Sequence, residues 1–112
     1  MEFVDTIERL TVYCGERHHV DGKPTYEYIV EEARRRGLAG ATVYRGMMGF
    51  GGHSLIHTAK VLRLSEDLPI TVEIVDEADK IEEFIDFLEG VVHNGAIVCE
   101  SVRAKIFHPV EK

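Results

Sequence analysis

The chain is short of the features that mark secreted, membrane-spanning or nucleic-acid-binding proteins. Its two cysteines, Cys14 and Cys99, lie far apart and form no C-x-x-C pair, which argues against a disulfide scaffold or a zinc site. Both are expected to be small buried hydrophobes in a reducing cytosol. The first residues, Met1-Glu2-Phe3-Val4-Asp5, carry neither a basic n-region nor an apolar h-region, so no signal peptide is expected. No apolar run approaches the roughly 20 residues that a membrane span needs. Basic charge is in deficit: the formal net charge of −7 excludes general affinity for nucleic acid, which needs a basic surface to release counterions. A single anionic ligand in a local basic pocket is compatible with that balance. With three prolines and ten glycines there is no Pro- or Gly-rich linker. A cytoplasmic location is expected.

What is present fits one globular domain over residues 1–112. That length suits a two-layer core and no second domain. Hydrophobic residues at 45% and charged residues at 29% separate the chain from disordered sequences.

Leu10, Val12 and Cys14 alternate within Arg9 to Cys14 and predict a strand. Gly15 to Lys23 reads as a polar turn. Pro24 suits the first position of a helix, and Tyr26, Ile29, Val30 and Ala33 follow as one apolar stripe. Arg34-Arg35-Arg36 then complements the negative end of the helix dipole, and Gly37 supplies the stop. Strand character returns over Ala41 to Met48. Ser54 to Glu66 fits a short helix on Leu55, Ile56 and Ala59 or a strand from Val61. Ile70 to Val75 alternates cleanly and predicts another strand. Asp76 is a candidate N-cap for a helix whose buried stripe is Ile81, Phe84, Ile85 and Leu88, closed by Gly90 or Gly95. A last strand runs from Ala96 to Phe107, with a bend expected near Glu100-Ser101.

The predicted order is β-α-β-β-α-β. Each helix has one apolar stripe, so the expected fold is α+β: a ferredoxin-like sandwich with both helices on one face of an antiparallel sheet. By strand parity the opposite face carries Tyr13, Tyr44, Val98, Val102, Ala104 and Ile106, mixed with Thr11, Thr71 and Glu100. That much apolar surface without a helix over it points to self-association.

The most informative stretch is Gly46-Met47-Met48-Gly49-Phe50-Gly51-Gly52-His53. Glycines at this density indicate unusual backbone dihedrals or a close approach, and their N–H groups can converge on an anion. The Gly-x-x-x-x-Gly-Lys-Ser/Thr pattern of a P-loop is missing, and no Rossmann setting surrounds the segment. Arg45 precedes it, while Arg103 and Lys105 share one face of the last strand. These three are candidates for the basic wall of a phosphate site. His53 and His57 have the i, i+4 spacing of a helical metal pair, but no Glu follows His53 and no third ligand is evident, so no metal is expected. Ser54 has no Gly-x-Ser-x-Gly setting, and Glu31-Glu32, Asp76-Glu77 and Glu82-Glu83 fall on helices as solvated faces and caps. With no nucleophile beside a base, catalysis is not expected.

Gly37-Leu38-Ala39-Gly40-Ala41-Thr42-Val43, Gly49-Phe50-Gly51, Val72-Glu73-Ile74-Val75-Asp76 and Val102-Arg103-Ala104-Lys105 resemble the PII-like (GlnB-like) signalling proteins. The likeness spans nearly the whole chain in element order. It is sharpest with a bacterial and archaeal branch that has a similar glycine loop followed by Ile-His, here Ile56-His57. The resemblance implies a ferredoxin-like homotrimer in which helix-free sheet faces meet and adenine nucleotides lie in clefts between subunits. It implies that Gly49, Phe50 and Gly51 approach the nucleotide (ADP or ATP, with AMP as a further candidate) and that Arg103 and Lys105 hold phosphate. Residues from Gly52, through His53, Ser54 and His57, to about residue 60 would form a mobile loop that touches a partner, such as a membrane transporter or an enzyme. Two departures stand out. The family's Gly-Arg-Gln after the aromatic is Gly51-Gly52-His53 here, so the glutamine that helps sense 2-oxoglutarate is missing, and no tyrosine occupies the loop for uridylylation. The rival readings are a small phosphate-handling enzyme of the acylphosphatase type and a trimeric metal-binding protein using His53 and His57.

Overall fold

The computed structural model describes residues 3–52, 56–58, 67–107 and 109. Along the described chain run β1 (Val4–Gly15), β2 (His19–Val20), β3 (Lys23–Pro24), α1 (Thr25–Arg35), β4 (Thr42–Arg45), β5 (Met48–Gly49), β6 (His57–Thr58), β7 (Pro69–Glu77), α2 (Ala78–Glu89) and β8 (Ala96–Ala104). Four of the strands form one sheet in the order β4-β7-β1-β8, antiparallel throughout. Each helix therefore carries the chain across one intervening strand, β7 under α1 and β1 under α2. This is the ferredoxin-like arrangement expected from the element order.

Register explains the two faces. Val12 stands opposite Val72 and Ile97, and Val72 also stands opposite Val43, so this row belongs to one face. The same face carries Leu10, Cys14, Ile70 and Ile74, which pack with Ile29 and Ala33 of α1 and Ile81, Phe84 and Leu88 of α2 in a single buried cluster. Burying each large aliphatic or aromatic side chain contributes about 1.5–3 kcal/mol relative to exposure, so this layer dominates stability. The other face has the rows Tyr44–Thr71–Tyr13–Ala96 and Thr42–Glu73–Thr11–Val98. There Tyr13, Tyr44 and Val98 are exposed, although Ile7 and Thr11 on the central strand are buried.

Local chemistry sets the element ends. Leu38 N–H donates to the Ala33 carbonyl and Gly37 N–H to that of Arg34, with Gly37 at φ +78°. That is a Schellman stop, and the left-handed residue is the glycine expected there. Between β2 and β3, Asp21 and Gly22 both have positive φ, which makes a type I′ hairpin within a stretch the sequence reads only as a turn.

Several expectations shift. Pro24 is the N-cap of α1 and not its first helical residue, because it still pairs with His19. Glu77, not Asp76, caps α2. Asp76 is buried and accepts from the N–H groups of Ala39 and Glu77, tying the α1–β4 connection to the end of β7. The strand expected over 41–48 stops at Arg45, and β8 runs unbroken through Glu100-Ser101. The irregularity lies instead on β1, between Val4 and Ile7. Cys14 is buried as expected, but Cys99, on the edge strand β8, is exposed. Among the described residues no helix is long and apolar enough to cross a membrane.

Candidate functional site

Arg45 ends β4 at the edge of the sheet, and the glycine segment leaves from it. Gly46 N–H donates to the Pro69 carbonyl at 2.7 Å, and a Cβ on Gly46 would lie 2.7 Å from Pro69 Cγ. A Cβ on Gly49 would lie 3.0 Å from the same atom. The first two glycines are thus required by packing on the Pro69 ring. Around Gly51 and Gly52 a Cβ would meet nothing within 4 Å, and neither has positive φ. The close approach expected from glycine holds at Gly46 and Gly49, while no described residue of the segment has positive φ. Gly51 and Gly52 present open backbone.

Met48–Gly49 pairs with His57–Thr58, so the segment folds back as a short hairpin ladder. His57 is therefore on a strand opposite Gly49 and not on a helix. His53 and Ser54 lie outside the described residues, as does most of the 54–66 stretch. Phe50 is 69% exposed, with Met47, Met48 and Ile56 also exposed beside it.

The floor of this corner is tied together by residues the sequence reading did not single out. Gly15 N–H donates to His18 Nδ1, Glu16 N–H to the Leu68 carbonyl, and Arg17 N–H to Asp67 Oδ1. Burial, followed by the Asp67 carboxylate, pushes the Cys14 thiol up to about 11. The Arg45 guanidinium grips Glu16 with two prongs, Nε at 3.0 Å from Oε2 and Nη2 at 3.2 Å from Oε1.

Arg103 and Lys105 do share a face, since both cations reach the Phe3 ring, at 5.1 Å and 4.7 Å from its centroid. Arg103 also pairs with Asp5 at 3.2 Å. They are nevertheless at the opposite end of the sheet from Arg45. The glycine corner adjoins Gly15 at the end of β1, whereas Ala104 pairs with Val4 at its start. Eleven residues of extended chain between Asp5 and Glu16 span on the order of 35 Å. One chain therefore brings Arg45 and Gly49 to the corner at Pro69, from which Phe50, Gly51 and Gly52 continue, and separately brings Arg103 and Lys105 together. Central strand β1 supplies a carboxylate to the candidate arginine at each end, Asp5 within it and Glu16 just beyond it. Neither acid was legible from local sequence, because each finds its arginine only through strand order and register.

The acylphosphatase-type arrangement needs an arginine and an asparagine at one phosphate. Asn94 precedes β8 at one sheet edge and Arg45 closes β4 at the other, three strand spacings or about 14 Å apart. Among the described residues no three His, Cys, Asp or Glu side chains gather as a metal ion requires.

Comparison with known proteins adds the following. Residues 7–104 match the family DUF190, described as "Uncharacterized ACR, COG1993". A UPF0166 protein of Aquifex aeolicus is 42% identical over 93 residues, covering 83% of this chain and 88% of that one. Among solved structures, CPII, a nitrogen regulatory PII-like protein from Thiomonas intermedia bound to ADP, AMP and bicarbonate, superposes with a TM-score of 0.62 at 16% identity, covering 88% of this chain and 87% of the other. CutA1, a divalent ion tolerance protein from Ehrlichia chaffeensis, gives 0.58 at 10% identity with coverage of 88% and 83%. The GlnK–ATP complex of B. subtilis gives 0.55 at 12% identity, with coverage of 86% and 81%. At these identities the likeness is one of fold, and the PII-like fold expected from the sequence is the one found.

Proposed function

This chain belongs to the DUF190 family and has a PII-like fold, and from that footing we propose that it is a nucleotide-responsive regulatory protein acting without catalysis. The observation that carries the reading is the glycine segment that leaves a sheet corner directly after Arg45 and ends in the open backbone of Gly51 and Gly52, in a fold whose solved neighbours hold ADP, AMP and ATP. N–H groups unshielded by Cβ atoms suit close approach by phosphate oxygens, and a planar guanidinium adds charge-assisted hydrogen bonds.

Arg103 and Lys105 join that corner from a neighbouring copy. The strand length that separates them within one chain makes an intersubunit cleft the economical solution, and the exposed Tyr13, Tyr44 and Val98 supply a face for a homotrimer. Adenine nucleotide (ADP or ATP, with AMP as a further candidate) then bridges two subunits. The hairpin that follows Arg45 is the output. From Gly46 to Thr58 it carries no Asp, Glu, Lys or Arg, and it exposes Met47, Met48, Phe50 and Ile56. Binding at its base favours one hairpin conformation over others, a shift of population that a cytoplasmic enzyme or the cytoplasmic side of a transporter reads.

Titration calorimetry with ATP, ADP and AMP on folded protein tests this directly. Saturable heat for at least one of them is expected. No heat for any of the three removes the reading.

A further inference from the structure

Resting on the nucleotide reading, we propose that Glu16 sets both the affinity and the charge selectivity of the site, as a resident anion that competes with ligand phosphate for Arg45. A guanidinium edge accommodates one two-pronged oxyanion at a time. In this structure Glu16 fills the Nε/Nη2 edge, each of these atoms meeting one of its oxygens, so a phosphate reaches that edge only by exchange with the carboxylate and otherwise shares Arg45 with it across the Nη1/Nη2 edge. The carboxylate is also well placed to compete. The backbone of Glu16 is fixed by its bond to Leu68, with Arg17 held by Asp67 immediately after it, and its side chain is only 26% exposed. A carboxylate that has little freedom left to lose competes better than a mobile one.

Asp5 makes a weaker counterpart at the far end of β1. It meets Arg103 through one contact at 3.2 Å, with both side chains more than two-thirds exposed. Solvent and salt screen such a pair, so Glu16 is the residue that counts.

Exchange at Arg45 leaves the freed Glu16 carboxylate beside the incoming phosphates. The resulting repulsion grows with ligand charge, so Glu16 disfavours a triphosphate more than a monophosphate. Without the carboxylate, Arg45 is available and the repulsion disappears.

The test compares wild type, Glu16→Gln and Glu31→Gln by calorimetry with ATP, AMP and inorganic tripolyphosphate, after circular dichroism shows all three proteins folded. Glu31 is paired with Lys23 on the surface of α1, so its replacement removes one charge from the chain away from the corner. Glu16→Gln is expected to tighten ATP and tripolyphosphate about two- to fivefold, the upper part of the range for a geometrically good, partly exposed pair. AMP gains less, and Glu31→Gln leaves all three ligands within about twofold of wild type. If wild type binds ATP and Glu16→Gln binds it no tighter than Glu31→Gln does, the proposal is overturned while the nucleotide reading stands. Weaker binding by Glu16→Gln overturns it equally, since Glu16 would then be holding Arg45 in its productive pose. Absence of heat with all three proteins and all three ligands removes the nucleotide reading and this inference with it.

Discussion

The two faces of the sheet are made by the same four strands and differ in what lies over them. On one, Leu10, Val12, Ile70, Val72 and Ile74 are at most 2% exposed beneath α1 and α2. On the other, Tyr13 is 48% exposed, one residue along β1 from buried Val12 and Cys14, and Tyr44 on the edge strand β4 is 52% exposed. Alternation by itself makes both faces partly apolar, but among the described residues only the first has helices over it. A chain that covers one face with two amphipathic helices and leaves tyrosines and valine on the other has a stable core and an unfinished surface. The stability of the core and the assembly proposed for the open face can therefore be tested separately, each from its own face.

The largest effect is expected on the covered face. Phe84→Ala empties a fully enclosed site between α2 and the sheet and should cost about 3–5 kcal/mol in urea denaturation. A loss below about 1 kcal/mol would mean that the layer under α2 is not the packed core described above.

A smaller effect comes from pH. The buried Cys14 thiol has its pKa raised from 9.0 to about 11, chiefly by desolvation. The folded state therefore keeps this proton longer than the unfolded chain. The associated stability is fully present below pH 9, falls as pH rises from 9 to 11, and amounts to about 2–3 kcal/mol. Denaturation of Cys14→Ala across that interval should show a shallower decline than wild type. Parallel curves would show that the thiol is not the group responsible.

The smallest expected effect in energy falls on the open face, where it has the clearest structural readout. Tyr44→Glu puts a charge amid the row Tyr44–Thr71–Tyr13 without touching the helix-covered cluster. Light scattering should then report a lower mass at the same concentration, with association weakened tenfold or more, about 1.4 kcal/mol. Wild type and variant at one common mass, whichever it is, would take Tyr44 out of any interface.

The glycine segment teaches a related lesson about what a motif means. Gly46 and Gly49 answer to the Pro69 ring, whereas a Cβ on Gly51 or Gly52 would meet nothing within 4 Å among the described residues. Gly95 is a third case: it sits at φ +100° with its backbone against Tyr13, so it serves the start of β8 and not the end of α2.

Element type and order were readable from the chain alone, because periodicities of two and of 3.6 residues are local and survive in any surroundings. The stripes Ile29–Ala33 and Ile81–Phe84–Leu88, the alternation over Ile70–Ile74 and the glycine stop at Gly37 all follow from such short-range rules. The sharing of one face by Arg103 and Lys105 follows in the same way. Which residues meet across the sheet is another matter. Arg45 finds Glu16, Arg103 finds Asp5, Asp76 binds the backbone at Ala39, and Met48–Gly49 folds onto His57–Thr58. These contacts depend on strand order and register, which no window of neighbouring residues contains. Tertiary structure alone therefore decided that the candidate cations lie at opposite ends of the sheet and that Arg45 and Arg103 each already hold a carboxylate.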